Sequence, residues 1–265
     1  MPGKSFLLPN DIRTALSTRW MGRRVYCLPE VDSTNRLAAD LAVAGEREGT
    51  LVVADYQNAG RGQQRNRWLS PRGRGLLFSL ILRPRMQSQQ VLPVTLTFAL
   101  TVAETLSKVT GEEMQVKWPN DVVSPSGKIG GILAEISSRS GQTSHLVLGI
   151  GLNINTRSHE LPATVDYPAA SCLGAAGTDH DRLAILVRLL ACLEPVYERF
   201  VERGFGPFVS RYRDRMWHGD GEVEVDDSGR TLRGRIQGVH QDGGLILRTG
   251  RGKEQIVYGR RVRKA

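Results

Sequence analysis

The sequence predicts an α+β protein of two domains, and three observations carry that prediction. Apolar patterns of helical period interleave with strand-like runs as far as residue 216. Beyond that point the character changes to short strands separated by Asp-Gly or other glycine-containing turns, as in a small β-barrel. The length, 265 residues, is enough for one or two domains with a core of their own. The expected partition is an N-terminal extension over 1–24, a larger α+β domain over 25–216 and a barrel over 217–265. The last boundary lies near Trp217-His218-Gly219.

The elements follow in order. Residues 11–16 show a weak amphipathic turn, too little for a helix-turn-helix reader of DNA. Residues 24–28 read as a strand. Asp32-Ser33-Thr34-Asn35 then offers several N-caps for a helix through Leu37, Ala38, Leu41 and Ala44, ended by Gly45. A strand over 50–56 leads into a loop rich in glycine and arginine, and a buried-looking strand over 76–82 stops before Pro84. Pro93 sits in the first turn of a long helix through Leu96, Leu100, Val102 and Leu106, ended by Gly111. Strands are expected over 114–117, 129–136 and 145–150, with turns at 118–121, 124–127 and 140–141. A loop spans 153–177. A long helix runs from Asp181 towards Phe200, with Pro195 as a possible kink, and 204–216 reads as a short helix or turn. Short strands over 222–225, 232–239, 245–247 and 255–257 complete the chain, which closes on a basic tail.

Composition narrows the function classes. Hydrophobic residues are 40% and charged residues 24%, so a largely disordered chain is excluded. Three cysteines (Cys27, Cys172, Cys192) without C-x-x-C spacing argue against a disulfide framework or structural zinc, and fit a reducing, cytoplasmic setting. The apolar run 75–82 stops at Arg83, short of the ~20 residues of a membrane span, and the first twenty residues hold no signal-peptide core. Net charge is 36 − 27 = +9. That balance fits nucleic acid, phosphate-bearing small molecules, an acidic partner, or solubility alone. Placement discriminates. Arg61, Arg65, Arg67, Arg72 and Arg74 fall between residues 58 and 75 with no acid among them, whereas Arg260, Arg261, Arg263 and Lys264 form the tail. Only the first cluster, embedded in glycines between strands, reads as a site.

Several familiar motifs are absent. Gly127-Lys128 lacks the earlier glycine and following hydroxyl of a Walker A loop, and neither Gly60-Arg61-Gly62 nor Gly149-Ile150-Gly151 gains the third glycine of a dinucleotide fingerprint. No His-x-x-His and no Gly-x-Ser-x-Gly occurs. What remains is a constellation at strand ends. Gln57 to Trp68 joins the backbone freedom of Gly60 and Gly62 to guanidinium groups suited to phosphate, with an aromatic face for a base; a solvated basic loop is the plain alternative. Lys117-Trp118-Pro119-Asn120-Asp121 presents polar side chains at a proline-fixed turn, or is simply a turn. Lys128 before Ile129-Gly130-Gly131 suits a bound anion or is an edge lysine. Gly149-Ile150-Gly151-Leu152-Asn153 allows close backbone approach or makes a bulge.

Together and in this order, these pieces resemble the biotin protein ligases, or biotin–[acetyl-CoA carboxylase] ligases. The matching segments are Asp32-Ser33-Thr34-Asn35, Gln57 with Ala59 to Gly62, Arg67-Trp68, Lys117 to Asp121, Lys128 to Leu133 with Glu135, and Gly149, Gly151 and Asn153. The resemblance implies a mixed sheet flanked by helices, as in class II aminoacyl-tRNA synthetases, followed by an SH3-like barrel. It implies that biotin and ATP form biotinyl-5′-AMP with Mg²⁺, and that biotin passes to a lysine of a biotin carboxyl carrier domain of acetyl-CoA carboxylase or a related carboxylase. Lys128, Arg61 and Asp121 would be catalytic. Ser33, Thr34, Asn35, Gln57, Gly60, Arg61, Gly62, Gln63, Lys128, Gly149 and Gly151 would hold biotin. Arg61, Arg65, Trp68, Lys117, Asn120 and Asn153 would hold the nucleotide.

No metal-ligand set is legible, no specific nucleic acid or membrane partner is expected, and monomer or homodimer is left open. Two departures stand out. Where the family often carries an arginine after Gly62 this chain has Gln63, which removes a charge beside the intermediate. Only about 25 residues precede the first expected catalytic strand, so operator binding is not expected. The rivals are a lipoate or octanoyl ligase and a nucleic-acid-binding protein.

Overall fold

A computed structural model describes residues 6–63, 66–85, 87, 90–139, 142–163, 167–173, 177–218, 221–227, 229–250, 252–259 and 261–264. The larger sheet has seven strands: β1 (Val25–Leu28), β2 (Leu51–Ala54), β3 (Gly75–Leu82), β4 (Gln115–Lys117), β5 (Asp121–Ser124), β6 (Gly127–Arg139) and β7 (Gln142–Asn153), in the order β1-β2-β3-β7-β6-β5-β4. Only β1 and β2 are parallel; every other pairing is antiparallel. This is the expected mixed sheet, with one correction. The residues read as turns at 118–121 and 124–127 bracket a four-residue strand, β5, which pairs with β6 through a bulge between Val122 and Val123. Proline, asparagine and glycine on both sides masked it, and four residues are too few for an alternation signal. Its two valines are buried.

Helices cover both faces. Helix α2 (Thr34–Val43) sets Ala38 and Ala42 against Val52, Ile81 and Val147, small residues that let it lie close to the sheet. Helix α3 (Val91–Thr110) packs on α4 (Arg182–Arg203) and on β4 to β6. By length and composition α3 could cross a membrane, but 72% of the relevant window is buried inside the protein. Its buried threonines are satisfied locally: Thr95, Thr97, Thr101 and Thr105 each donate to the carbonyl four residues back at 2.8–2.9 Å. Gly111, left-handed at φ 75°, ends α3 as expected. Asp181 caps α4 by accepting from Leu183 N and Ala184 N, and α4 runs through Pro195 as one helix.

Residues 6–24 contain a short helix, α1 (Pro9–Ala15), and pack on this domain. Leu7, Ile12, Leu16 and Met21 are buried, and the Glu194 carboxylate of α4 accepts the backbone N–H groups of Arg19, Trp20 and Met21 at 2.8, 3.0 and 2.8 Å. A last short helix, α5 (Val209–Asp214), leads to the second sheet.

That sheet is antiparallel and five-stranded: β8 (Val223–Asp227), β9 (Arg230–Val239), β10 (Leu245–Thr249), β11 (Glu254–Val257) and β12 (Arg261–Lys264), in the order β11-β10-β9-β8-β12. The expected basic tail is therefore a strand. β12 pairs along β8 and buries Val262, and a single apolar residue among charges gave no strand signal. The β9–β10 turn seats the small sheet against α3 and the β4–β5 turn. Gly243 (φ 89°) leaves room where a Cβ would come within 3.2 Å of Leu92 and Leu96, and its carbonyl accepts the indole N–H of Trp118 at 2.9 Å.

Candidate active site

The strand ends and loops around β6 and β7 enclose a cleft of about 490 Å³. Its floor begins at the N-terminus of α2. Ser33 is the N-cap residue, yet its side chain makes no capping bond; Gln57 does so from the next loop, its Oε1 accepting from Thr34 N at 2.7 Å and from Thr34 Oγ1 at 3.0 Å. Ser33 is thus left facing the cleft, which it lines. Asn35 is 3% exposed and held on three sides. Ser79 Oγ donates to its Oδ1 at 2.6 Å, and its Nδ2 donates to Glu135 Oε2 at 2.8 Å and to the Leu133 carbonyl at 3.3 Å.

Two glycines on one face of β7 explain the shape of the cleft, because residues two apart on a strand point the same way. A Cβ on Gly149 would lie 1.9 Å from Asn35 Oδ1, and one on Gly151 would lie 2.7 Å from Trp68 Cε2. Asn35 and Trp68 therefore lie directly on the strand, one toward each end of the cleft. Trp68 arrives there through a folded loop: Trp68 N donates to Gly60 O at 3.0 Å and Gly62 N to Asn66 O at 2.8 Å. Gly60 does not line the cleft. It is buried behind the loop, where a Cβ would meet Trp68 O at 2.4 Å. Gly62 and Gln63 do line it; Arg65, expected on the nucleotide side, lies outside the described residues.

The arginine cluster divides by task. Arg67 donates to Asn58 O at 2.7 Å and ties the loop shut. Arg72 pairs with Glu30 and stacks on Tyr56 at 4.7 Å, and Arg74 lies 3.8 Å from Glu160. Arg61 lines the cleft, with Nη2 at 2.9 Å from Glu135 Oε1.

The β4–β5 turn supplies the far wall. The Trp118–Pro119 peptide is cis. Asn120 is locked to β6 by two bonds, Asn120 Nδ2 to Ile132 O at 3.0 Å and Ile132 N to Asn120 O at 2.9 Å. Asp121 opens β5 rather than sitting in a turn, and its Oδ1 is 2.6 Å from Lys128 Nζ. Lys128 also lies 5.8 Å from the Trp68 ring, so it sits between the carboxylate and the aromatic face. Lys117 is 8% exposed, its ammonium 5.3 Å from both the Tyr167 and Trp217 rings. That places Lys117 where β4 meets the start of the small domain. Asn153 is buried, and its amide donates to Ala170 O at 3.0 Å.

The structure thus brings together Ser33, Thr34, Asn35, Gln57, Arg61, Gly62, Gln63, Trp68, Lys117, Asn120, Asp121, Lys128, Gly149, Gly151 and Asn153 around one space. Glu135, part of the motif that begins at Lys128, stands behind the cleft and contacts Arg61 and Asn35. The sequence reading missed the wall formed by Pro162, Ala163, Tyr167 and Ala169, and Val262 from β12. No local pattern marks these residues; they reach the cleft by long-range packing. Burial pushes the thiols of Cys27 and Cys172 up to about 11 and about 12, so neither is a nucleophile at neutral pH.

Known proteins resemble this chain along most of its length. The Biotin/lipoate A/B protein ligase family matches residues 27–153. A bifunctional ligase/repressor BirA of Bacillus subtilis is 32% identical over 96% of this chain and 78% of that protein. A biotin–[acetyl-CoA-carboxylase] ligase of Paracoccus denitrificans is 29% identical over 86% of this chain and 96% of its own. The solved biotin protein ligase of Aquifex aeolicus in complex with biotin and ATP superimposes with a TM-score of 0.78 at 30% identity, covering 92% of this chain and all of that one. On that identity and coverage, the chain belongs to the biotin protein ligases, within the Biotin/lipoate A/B protein ligase family.

Proposed function

We propose that the cleft joins biotin to ATP and then hands the biotinyl group to the lysine of a carrier domain. The protein is an ATP-dependent biotin protein ligase. The observation that carries the site-level reading is the pair of glycines on β7: one strand face sets an amide-lined floor at Asn35 and an aromatic, cationic end at Trp68 and Lys128 within a single cleft.

In the first step a biotin carboxylate oxygen attacks the α-phosphorus of ATP. The bond to the β-phosphate oxygen breaks, leaving biotinyl-5′-AMP and pyrophosphate. Two anions must meet, and the ammonium of Lys128 and the guanidinium of Arg61 offset their repulsion from fixed positions. Ser33, Thr34, Asn35 and Gln57 hold the biotin end, while Trp68 stacks beside the base, with Asn153, Asn120 and Lys117 toward the nucleotide. In the second step the acceptor amine attacks the acyl carbon and AMP leaves. That amine has an ordinary pKa of about 10.4 and must first lose a proton. Asp121, released when Lys128 turns to the acyl phosphate, accepts it.

Among the described residues no three His, Cys, Asp or Glu side chains come together. Mg²⁺ would enter with the phosphates of ATP, whose charge it would offset. The acceptor is a biotin carboxyl carrier domain of acetyl-CoA carboxylase or a related carboxylase. Three free cysteines support a reducing, cytoplasmic setting.

The test is ATP–pyrophosphate exchange with the purified chain. Exchange that depends on biotin and not on lipoate or octanoate is the expected result. Exchange that ignores biotin overturns the reading.

A further inference from the structure

The Glu135 carboxylate on β6 joins two residues that line the cleft, Arg61 and Asn35. One oxygen is 2.9 Å from Arg61 Nη2 on the glycine–arginine loop, and the other accepts from Asn35 Nδ2 at 2.8 Å. The chain continues inward, because Ser79 Oγ donates to Asn35 Oδ1 at 2.6 Å and lies 2.8 Å from Thr34 Oγ1, which reaches Gln57. Asn35 has no spare freedom. Its amide is held by Ser79, Leu133 and Glu135, and the bare backbone of Gly149 lies beneath it. Arg61, in contrast, is half-exposed on a loop, and the carboxylate is the one charged group that fixes it among the described residues.

We infer that Glu135 is a positioning residue that couples the two substrates. Resting on the functional reading above, it holds the loop guanidinium in line with the biotin floor in advance, so that the cation that meets ATP is already oriented beside the biotin end. It acts through Arg61 and Asn35 and touches neither reacting group. A long flexible arginine pinned in advance loses less rotamer freedom when an anion arrives, which is the physical source of the coupling. The pair is half-exposed, so the effect belongs at the low end of coupling between sites, roughly 5-fold.

Two variants separate the two arms of the bridge. In Glu135→Gln the amide oxygen still accepts from Asn35, but the charge that holds Arg61 is gone. In Glu135→Ala both arms are lost. The experiment measures biotin affinity by calorimetry, KM for ATP and kcat in biotin-dependent pyrophosphate exchange, and thermal melting of each variant. Glu135→Gln is expected to raise KM for ATP roughly 5-fold while leaving biotin affinity and melting near wild type. Glu135→Ala is expected to weaken both substrates. In the Arg61→Ala background, Glu135→Gln is expected to add nothing to the ATP effect. An unchanged KM for ATP in Glu135→Gln, or full additivity with Arg61→Ala, overturns the bridge while leaving the ligase reading intact. A wild-type chain with no biotin-dependent exchange overturns the ligase reading and the bridge together.

Discussion

Replacing Gly149 by alanine isolates the close approach of α2 to β7. The φ of Gly149 is not in the left-handed region, so alanine suits the backbone and the effect is purely steric. The new Cβ lies 1.9 Å from Asn35 Oδ1 and 2.7 Å from its Cγ, against an ordinary contact of roughly 3.5 Å. The amide must therefore retreat by about 1.5 Å, which breaks its bonds to Ser79 and Glu135. Overpacking of this kind costs typically 1–3 kcal/mol. A loss of about 2 kcal/mol at the floor of the cleft corresponds to roughly 30-fold weaker biotin binding. Gly151→Ala is the matched control, since its Cβ meets the Trp68 ring at 2.7 Å and displaces the other end of the cleft. Isothermal calorimetry with biotin, and separately with ATP, reads both. Gly149→Ala weakens biotin with ATP affinity within about 3-fold of wild type, and Gly151→Ala does the reverse. Wild-type biotin affinity in Gly149→Ala, or loss of the same ligand in both variants, would refute the division of the cleft between the two glycines.

Three further outcomes are expected. Lys128→Met removes the ammonium between Asp121 and Trp68 and lowers the pyrophosphate-exchange rate by about 10²–10³, with thermal melting unchanged; a small loss would move the charge-stabilising role elsewhere. Gln63→Arg places a cation beside the intermediate and slows release of biotinyl-AMP, measured as adenylate off-rate; an unchanged rate would count against a loss of retention at Gln63. Glu194→Ala leaves three N–H groups of residues 19–21 without their acceptor and costs on the order of 3 kcal/mol in denaturant melts. Burial raises the Glu194 pKa, but the three N–H groups and Arg19 outweigh it and hold the carboxyl below its ordinary value. Its contribution is therefore complete above the unfolded value of about 4.3 and is lost as pH falls through the lower folded value. Equal acid sensitivity of wild type and Glu194→Ala would contradict this.

Much of the scaffold was legible. Helices α2, α3 and α4 announced themselves through apolar period and their terminal signals, Gly111 and Asp181 among them. Strand β5 and strand β12 did not, because four residues flanked by turn formers or by charges carry no period. Within the site, Lys128 and Asp121 were named for their chemistry, but their 2.6 Å pairing arises only when β5 and β6 lie side by side.

The sequence by itself determined which chemical groups are available and at which backbone positions no side chain can stand: a cation at Lys128, an indole at Trp68, bare backbone at Gly149 and Gly151. Those are local properties, written residue by residue. Only the tertiary structure decided that Glu135 spans from Arg61 to Asn35, that Lys117 lies between Tyr167 and Trp217, and that Val262 reaches the cleft from the second sheet. Each of these joins segments 50 or more residues apart. Contacts at that separation are fixed by sheet order and packing, and they leave no trace in the pattern of neighbouring residues.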